Sequence, residues 1–285
     1  MFWDKINDDL LAHFKVSPVA VNPQTGYRGR IILDLSYPVG RPPKKGKKRR
    51  TGEVVQDSVN DTTHKHAPTE PIHEIVKVLP HLFHFVTSTP EDQYIRLIKV
   101  ALLESFSQSV IEPVKKWNFC YVMSDMPGAR VRIVVPSAIQ MGWAKSPAYL
   151  CTAAKTGQDI IDLLLREGPD PSEHPPNNSW RLQICPQQHL QAEDQTSRGV
   201  YMDDYVLGVI ENDDWSLIMQ VLRATLHIVH PIFLLPESSG YLGGNDPISR
   251  KKLEKGDTGI DIEKEILQFM LNGADRTMRL SEANA

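Results

Sequence analysis

Cysteine is scarce in this chain. The sequence has 3 cysteines in 285 residues, widely spaced and without a Cys-x-x-Cys pair. An odd number of isolated cysteines argues against a disulfide framework and against a zinc site, and it indicates a reducing compartment. The N-terminal residues are too acidic for a signal peptide, and no apolar run approaches the ~18 residues of a membrane span. The sequence therefore predicts a soluble intracellular protein of the cytoplasm or nucleus with no membrane partner, and it leaves the oligomeric state open.

A strong net charge is also missing. The formal net charge is −3, so the chain has no global positive field that would attract nucleic acid. Binding of nucleic acid must then come from a local patch, and one basic run exists in a segment rich in proline and glycine. Its members are Lys44, Lys45, Lys47, Lys48, Arg49 and Arg50. A solvated flexible loop and a template-binding or nuclear-targeting segment are both compatible with this run.

The order of the predicted elements defines a fold class. Hydrophobic residues make up 41% of the chain and charged residues 24%, which is typical of a globular protein. The predicted helices cover 4–14, 72–85 (ended or kinked at Pro80), 146–165 and 212–229. The predicted strands cover 16–21, 30–35, 94–103, 118–123, 130–135, 199–200, 205–210, 248–253, 266–270 and 277–280. Hairpins outnumber βαβ crossovers, so we expect an α+β fold with an antiparallel or mixed sheet and helices on one face.

Two adjacent carboxylates stand between two apolar, β-prone runs. Asp203 and Asp204 follow Tyr201-Met202 and precede a strand-like segment, which predicts a hairpin with an acid pair at its turn. Two like charges this close raise each other's pKa unless a cation lies between them. Mg²⁺ or Mn²⁺ prefers such oxygen ligands, and a pair of these ions can clamp a phosphoryl group during in-line displacement. The plain alternative is an Asp-rich turn, because Asp is a favoured turn residue.

Four blocks of the sequence, taken in order, resemble the reverse transcriptases of long-terminal-repeat retroelements. The blocks are Ser17-Pro18-Val19 with 26–34, Met141-Gly142-Trp143-Ala144-Lys145-Ser146-Pro147, Tyr201-Met202-Asp203-Asp204, and 251–254 with 266–273. The resemblance covers most of 16–275. It implies a right-hand polymerase: a fingers-like region at 1–95 with a basic loop at 36–71, and a palm at 96–285. In that palm an antiparallel sheet carries the acid hairpin, 168–197 is a loop insertion, and the C-terminal strands resemble a primer grip.

The resemblance also implies site residues and partners. An RNA-directed DNA polymerase of this family extends a primer on an RNA or DNA template with deoxynucleoside triphosphates. Asp203 and Asp204 would hold Mg²⁺ or Mn²⁺ and act as the catalytic residues. The residues expected to bind the nucleotide are Arg30, Phe106, Gly142, Trp143, Ser146 and Pro147. For Trp143, a place in the protein core is the alternative to stacking on a base.

The sequence departs from the family at its first catalytic aspartate. Phe106 falls at the aromatic position that screens the sugar, and this alignment places Ala101 where the aspartate belongs. Glu104 would point to the opposite face if 101–104 is extended, and only a local bend would bring it back. Loss of a bridging metal ligand costs about 4 kcal/mol, roughly a thousandfold in rate. The sequence therefore predicts a degenerate copy with an impaired site, a pseudoenzyme, and the alternative is a non-catalytic nucleic-acid-binding remnant of a retroelement polymerase.

Overall fold

The computed structural model describes residues 15–24, 27–37, 57–63, 68–123, 132–167, 195–211, 215–233 and 247–281. The predicted helix at 4–14, the basic run at 44–50 and nearly all of the loop insertion lie outside these residues. The chain forms two compact units. Unit 1 consists of Met1–Pro68 and Phe106–Tyr149, and unit 2 consists of Thr69–Ser105 and Leu150–Ala285. Each unit thus contains two chain segments, whereas a single boundary, at residue 95, was predicted from the sequence.

The described residues of unit 1 form two small sheets. One has the strand order β1-β5-β6, with β1 parallel to β5, and the other is the hairpin β2-β3. The strands are β1 (Val16–Ser17), β2 (Val19–Gln24), β3 (Tyr27–Leu33), β5 (Cys120–Met123) and β6 (Arg132–Val134). The sequence predicts that strand 16–21 forms a hairpin with 30–35 and that 118–123 forms one with 130–135. Antiparallel pairing of β2 with β3 and of β5 with β6 confirms both.

A short helix begins inside the predicted loop 36–71. Helix α1 (Val59–Thr63) is preceded by Ser58, whose Oγ accepts a hydrogen bond from the N–H of Asp61 at 3.1 Å. The Asp61 carboxylate in turn accepts from the N–H and the hydroxyl of Ser58, at 3.2 and 2.6 Å. This reciprocal pair is a capping box. The Ser-x-x-Asp spacing was present in the sequence, and the prediction of a continuous loop was wrong here.

Unit 2 is built on a four-stranded sheet with the order β7-β8-β4-β9, in which neighbouring strands are antiparallel. Its strands are β4 (Ile95–Ala101), β7 (Thr196–Tyr201), β8 (Asp204–Ile210) and β9 (Gly259–Asp261). A three-stranded sheet follows: β10 (Glu263–Ile266), β11 (Phe269–Asn272) and β12 (Thr277–Leu280). Helices and antiparallel sheets together give the α+β class that was predicted.

Helices flank the larger sheet on both faces, and the prediction of one covered face was wrong. After α1, the α-helices of the described residues are α2 (Glu70–Ile75), α3 (Val78–Ser88), α4 (Ser105–Gln108), α5 (Ser146–Glu167), α6 (Ser216–Phe233) and α7 (Arg250–Glu254). Val206 packs in one cluster with residues of α3, whereas the hydroxyl of its neighbour Tyr205 donates to the Ala154 carbonyl in α5 at 3.1 Å. Adjacent strand residues point to opposite faces. The unbroken apolar run of β8 is the pattern of a strand buried on both sides.

Proline sets the break between α2 and α3. The sequence predicted one helix over 72–85 that Pro80 ends or kinks, but the helical segments separate at Val76 and Lys77. Pro80 lies in the first turn of α3, where its missing N–H has no intrahelical role. A continuous helix would need that N–H to bond the carbonyl of Val76, four residues earlier. The chain therefore breaks ahead of the proline.

Two predicted C-terminal strands were wrong. Residues 250–254 form helix α7, because Ser249 caps it by accepting a hydrogen bond from the N–H of Lys252 at 3.4 Å. Within the predicted strand 266–270, Leu267 and Gln268 form the two-residue turn between β10 and β11, with φ of 52° and 70°. Such turns favour Asn-Gly or Asp-Gly. Leu-Gln gives no turn signal in the sequence.

Helix α6 is the one described helix that is long and apolar enough to cross a membrane by length and composition. Its buried residues lie within the fold, and a core helix of a globular protein passes the same test. They are Leu217, Ile218, Val221, Ala224, Thr225, Val229 and Phe233.

Candidate functional site

The two aspartates lie where β7 turns into β8. Tyr201 pairs with Asp204 across the hairpin, and Met202 and Asp203 form its two-residue turn. Met202 has a φ of 53°, because such a turn needs a positive φ at its first residue. Asp204 is the first residue of β8, a strand buried along its centre, and it is therefore held more firmly than Asp203 in the turn.

Ala101 lies directly opposite Asp204. The antiparallel register of β4 and β8 pairs these two residues, and residues paired in this way project from the same face. The Leu102 N–H donates to the Asp203 carbonyl at 2.7 Å, which fixes the end of β4 against the turn. The structure therefore places a buried methyl group beside the aspartates, at the position where the resemblance calls for a third carboxylate.

Glu104 does not complete the acidic group. Strand β4 ends at Ala101, and Glu104 has a φ of 45°, so 101–104 is bent, which is the alternative to the extended segment that the sequence left open. The bend still brings no third acidic ligand to the hairpin. Within the part of the chain that the structure describes, no three His, Cys, Asp or Glu side chains come together in a group that could hold a metal ion.

Two lysines contact the aspartates instead. The Lys99 Nζ lies 3.3 Å from Asp204 Oδ2 and 2.8 Å from Asp257 Oδ1. The Lys252 Nζ lies 3.2 Å from Asp204 Oδ1 and 3.8 Å from Asp203 Oδ2. Each carboxylate oxygen of Asp204 thus has its own ammonium group. We call these five residues the lysine–aspartate cluster.

The backbone brings the lysine–aspartate cluster together from three chain segments. Lys99 is two residues before Ala101 in β4 and so projects from the same face of the sheet. The Ser249 N–H donates to the Ala101 carbonyl at 2.9 Å, and Ser249 caps α7, so the cap fixes this helix beside the end of β4. Lys252 lies in the first turn of that helix. Lys99, Lys252 and Asp257 were not predicted as site residues; for Lys99, a charged residue inside the apolar run of β4 was the available signal.

The pKa directions follow from this arrangement. Burial, and next the negative charge of Asp204, raise the pKa of Asp203, and the Lys252 charge offsets only part of this. Burial alone would lower the pKa of Lys99, but its hydrogen bond to Asp257 and the charges of Asp204 and Asp257 together raise it. Lys99 therefore stays a cation at neutral pH, with its side chain 10% exposed.

These residues do not fit a two-metal site. Mg²⁺ and Mn²⁺ need several oxygen ligands, usually from carboxylates that bridge or flank the ions. Here both oxygens of Asp204 lie within ion-pair distance of lysines, Asp257 is paired with Lys99, and Ala101 offers only a methyl side chain. The divalent cofactor stays a prediction of the resemblance, and the described side chains do not support it.

The other predicted site residues lie in unit 1. Arg30 is in β3, and Phe106 is in the short helix α4 with a partly buried side chain. Pro147 is in the first turn of α5. Their predicted contacts with a nucleotide stay predictions. The six basic residues at 44–50 lie outside the described residues.

Gly142 has a structural reason to be glycine. Its φ is +102°, and a Cβ at this position would lie 2.1 Å from the Leu33 carbonyl oxygen. The Asn60 side chain fixes the same turn, because its Nδ2 donates to the Gly142 carbonyl at 3.2 Å and its Oδ1 accepts from the Ala144 N–H at 2.9 Å. Gly142 was predicted to bind the nucleotide, and Asn60 was not predicted as a site residue. Close contact between two backbone segments accounts for the glycine without any ligand.

Ser146 is buried. Its hydroxyl donates to the Gln140 carbonyl at 2.7 Å, which fixes the start of α5. Trp143 belongs to a stack of three aromatic rings: it meets buried Phe119 edge-on, with centroids 5.1 Å apart, and lies nearly parallel to Tyr149 at 5.3 Å. Tyr149 is 40% exposed. Trp143 therefore contacts both a core ring and a surface ring. This position is compatible with a place in the core and with stacking on a base.

Comparisons with known proteins give structural similarity alone. No protein-family model and no curated protein matches the chain. A foamy viral protease–reverse transcriptase solved with double-stranded DNA is similar over 94% of this chain at 14% identity, with a TM-score of 0.47. Two structures of apo telomerase from Candida tropicalis, one truncated from its C-terminal domain, are similar over 75% and 76% of the chain at 9% identity, with TM-scores of 0.41 and 0.40. The chain spans 31 to 40% of the length of these proteins.

Proposed function

We propose that the chain is a reverse-transcriptase domain by ancestry that no longer carries out two-metal nucleotidyl transfer and that binds a primer–template without extending it. The four sequence blocks support the ancestry. The observation that supports the loss of activity is the pairing of Ala101 with Asp204, because the position opposite the acid hairpin lacks a carboxylate.

Loss of this carboxylate removes a large part of the transition-state stabilisation. A carboxylate that bridges two metal ions stabilises the transition state by about 4 kcal/mol, which corresponds to roughly a thousandfold in rate. Met141 is a second departure, because the family usually has glutamine at this position. A domain with both changes would have little polymerase activity.

Features outside the acid hairpin support nucleic-acid binding. Exposed Tyr149 on top of Trp143 offers an aromatic ring on which a base can stack. The basic run 44–50 supplies six positive charges for backbone phosphates. RNA or DNA template–primer is the expected partner, and a bound deoxynucleoside triphosphate would be held without being transferred.

A primer-extension assay tests the proposal. We expect the native chain with Mg²⁺ or Mn²⁺ to extend a primer at least about a thousandfold more slowly than an active reverse transcriptase. The same protein should bind a labelled duplex with an affinity that falls steeply as salt rises, because phosphate contacts release counterions. Replacing the four lysines of the basic run by serine should weaken that binding, and replacing them by arginine, which keeps the charge, should preserve it.

Two results would count against the proposal. Robust metal-dependent synthesis by the native chain would show that Ala101 does not disable the site. Absence of salt-sensitive duplex binding would remove the binding role. Adding the carboxylate back in Ala101→Asp measures how much of the loss comes from this residue alone.

A further inference from the structure

We infer that Lys99 and Lys252 occupy the place of the metal ions at the acid hairpin, so that Asp203 and Asp204 form a lysine-paired structural centre that excludes divalent cations. The inference deepens the proposed function, because it gives a second reason for the loss of transfer at the same site. The two ideas are tested by different measurements.

Geometry supports this assignment first. The two ammonium groups approach Asp204 from opposite oxygens, at 3.3 Å for Lys99 and 3.2 Å for Lys252. Lys252 also reaches Asp203 at 3.8 Å, so it spans the acid pair as a bridging cation would. The Asp204 side chain is 14% exposed, so a further cation, such as a metal ion, has little open access to it.

Charge supports it next. Three carboxylates face two ammonium groups in the lysine–aspartate cluster, which leaves one net negative charge. A divalent ion at Asp204 would have to displace both lysines or lie within a few ångströms of them, and like charges at that distance repel strongly. Lysine is itself a compact, strongly hydrated point charge, which suits it to replace an ion as a partner for carboxylates.

Connectivity gives the cluster a structural purpose. Lys99 links β4 to Asp204 in β8 and to Asp257, which follows α7, at 2.8 Å. Lys252 links α7 to the hairpin turn. The ion pairs therefore join three segments that are far apart in sequence, and breaking a largely buried pair by removing one partner is costly.

The experiment compares metal binding and thermal stability in matched variants of the full chain. Mn²⁺ alone is the probe, followed by its electron paramagnetic resonance signal. We expect the native chain to bind no Mn²⁺ at the hairpin. Lys99→Met with Lys252→Met should bind Mn²⁺ at least about tenfold more tightly than the weakest binding that the measurement detects in the native chain, because two like charges are removed. That gain should disappear when Asp204→Asn is added.

Thermal unfolding supplies a second readout. Lys99→Met should lower Tm by about 5 °C or more, since its side chain is largely buried and Asp257 loses its partner. Lys252→Met should lower it less, because its side chain is 35% exposed. Lys77→Met is the matched control: it removes an ion pair with Glu74 in which both side chains are exposed, and it should leave Tm nearly unchanged.

Two outcomes would overturn the inference. One is Mn²⁺ binding by the native chain that Asp204→Asn abolishes, because the lysines would then not exclude the ion. The other is an unchanged Tm in both lysine variants, because the cluster would then not stabilise the fold. Neither result depends on primer extension, so failure of the inference is distinguishable from failure of the proposed function.

Discussion

Two adjacent residues of one type occupy different environments at the acid hairpin. Asp204 has a lysine at each oxygen and a side chain that is 14% exposed, whereas Asp203 has one long contact and is 43% exposed. Partial desolvation of the Asp203 carboxyl, and next its repulsion by Asp204, raise the pKa of Asp203. The negative charge of Asp203 is therefore poorly compensated. Lys252, at 3.8 Å, compensates part of this negative charge.

The acid hairpin was predictable from the sequence, and its partners were not. Apolar runs on both sides of Asp203 and Asp204 indicated a hairpin, and the family resemblance, aligned at Phe106, placed Ala101 at the position of the missing aspartate. Lys99 and Lys252 come from segments 153 residues apart. Their meeting depends on how α7 packs beside β4, which no local pattern encodes.

Gly142 gives a sharp prediction at the residue scale. Gly142→Ala should destabilise unit 1 by about 3 kcal/mol or more, because its Cβ would overlap the Leu33 carbonyl and a positive φ disfavours alanine. Gly256→Ala is the control, since Gly256 also has a positive φ but its Cβ would meet no atom within 4 Å. This control should cost about 1 kcal/mol. Urea unfolding compares the two, and equal losses would show that the contact with Leu33 is unimportant.

Elements were predictable where periodicity is strong. Helix α5 and strands β4 and β8 follow long apolar patterns and were predicted within a few residues. Helix α7 and the turn at Leu267 and Gln268 were missed, because a capping serine and a strained turn override weak local preferences. The number of covered sheet faces was also predicted wrongly. Strand β8 is apolar on both faces, whereas helices were predicted on one face of the sheet only.

Close packing of α3 on β8 gives the prediction at the element scale. A Cβ at Gly208 would lie 3.0 Å from side-chain atoms of Leu82 and Phe85 in that helix. Gly208→Val should therefore overpack this contact and destabilise unit 2 by about 2 kcal/mol. Thr277→Val, at an exposed position of β12, should change stability by less than about 0.5 kcal/mol. Equal unfolding midpoints for the two variants would contradict tight packing of the helix on the sheet.

At the scale of the whole molecule, buried ionisable groups couple stability to pH. Burial raises the pKa of Cys120, in unit 1, from 9.0 to about 12, and that of Cys151, in unit 2, from 9.0 to about 11. In an unfolded chain both thiols are half-ionised at pH 9.0, whereas in the folded chain this point is reached only at about pH 12 for Cys120 and about pH 11 for Cys151. The unfolded state then binds fewer protons, so the free energy of unfolding falls as pH rises.

Two lysines modify this trend in opposite directions. The raised pKa of Lys99 adds stability that is complete below its unfolded value of 10.5 and is lost as pH rises through the folded value. Burial lowers the pKa of Lys264, so the folded chain loses this proton at a lower pH than the unfolded chain does. Between the folded pKa and the unfolded value of 10.5 the unfolded chain binds more protons, and the free energy of unfolding therefore rises with pH there. The thiols act from pH 9.0 upward, and they should therefore dominate the first part of the alkaline transition.

We expect the free energy of unfolding to fall by about 2 to 3 kcal/mol for each of these thiols between about pH 8 and about pH 11, since one pKa unit is worth about 1.4 kcal/mol. Urea unfolding of the native chain and of Cys151→Ala at both pH values measures this. The variant loses some packing at the lower pH, but its further loss at the higher pH should be smaller by the contribution of one thiol. If both proteins lose the same amount on alkalinisation, ionisation of Cys151 does not control alkaline stability.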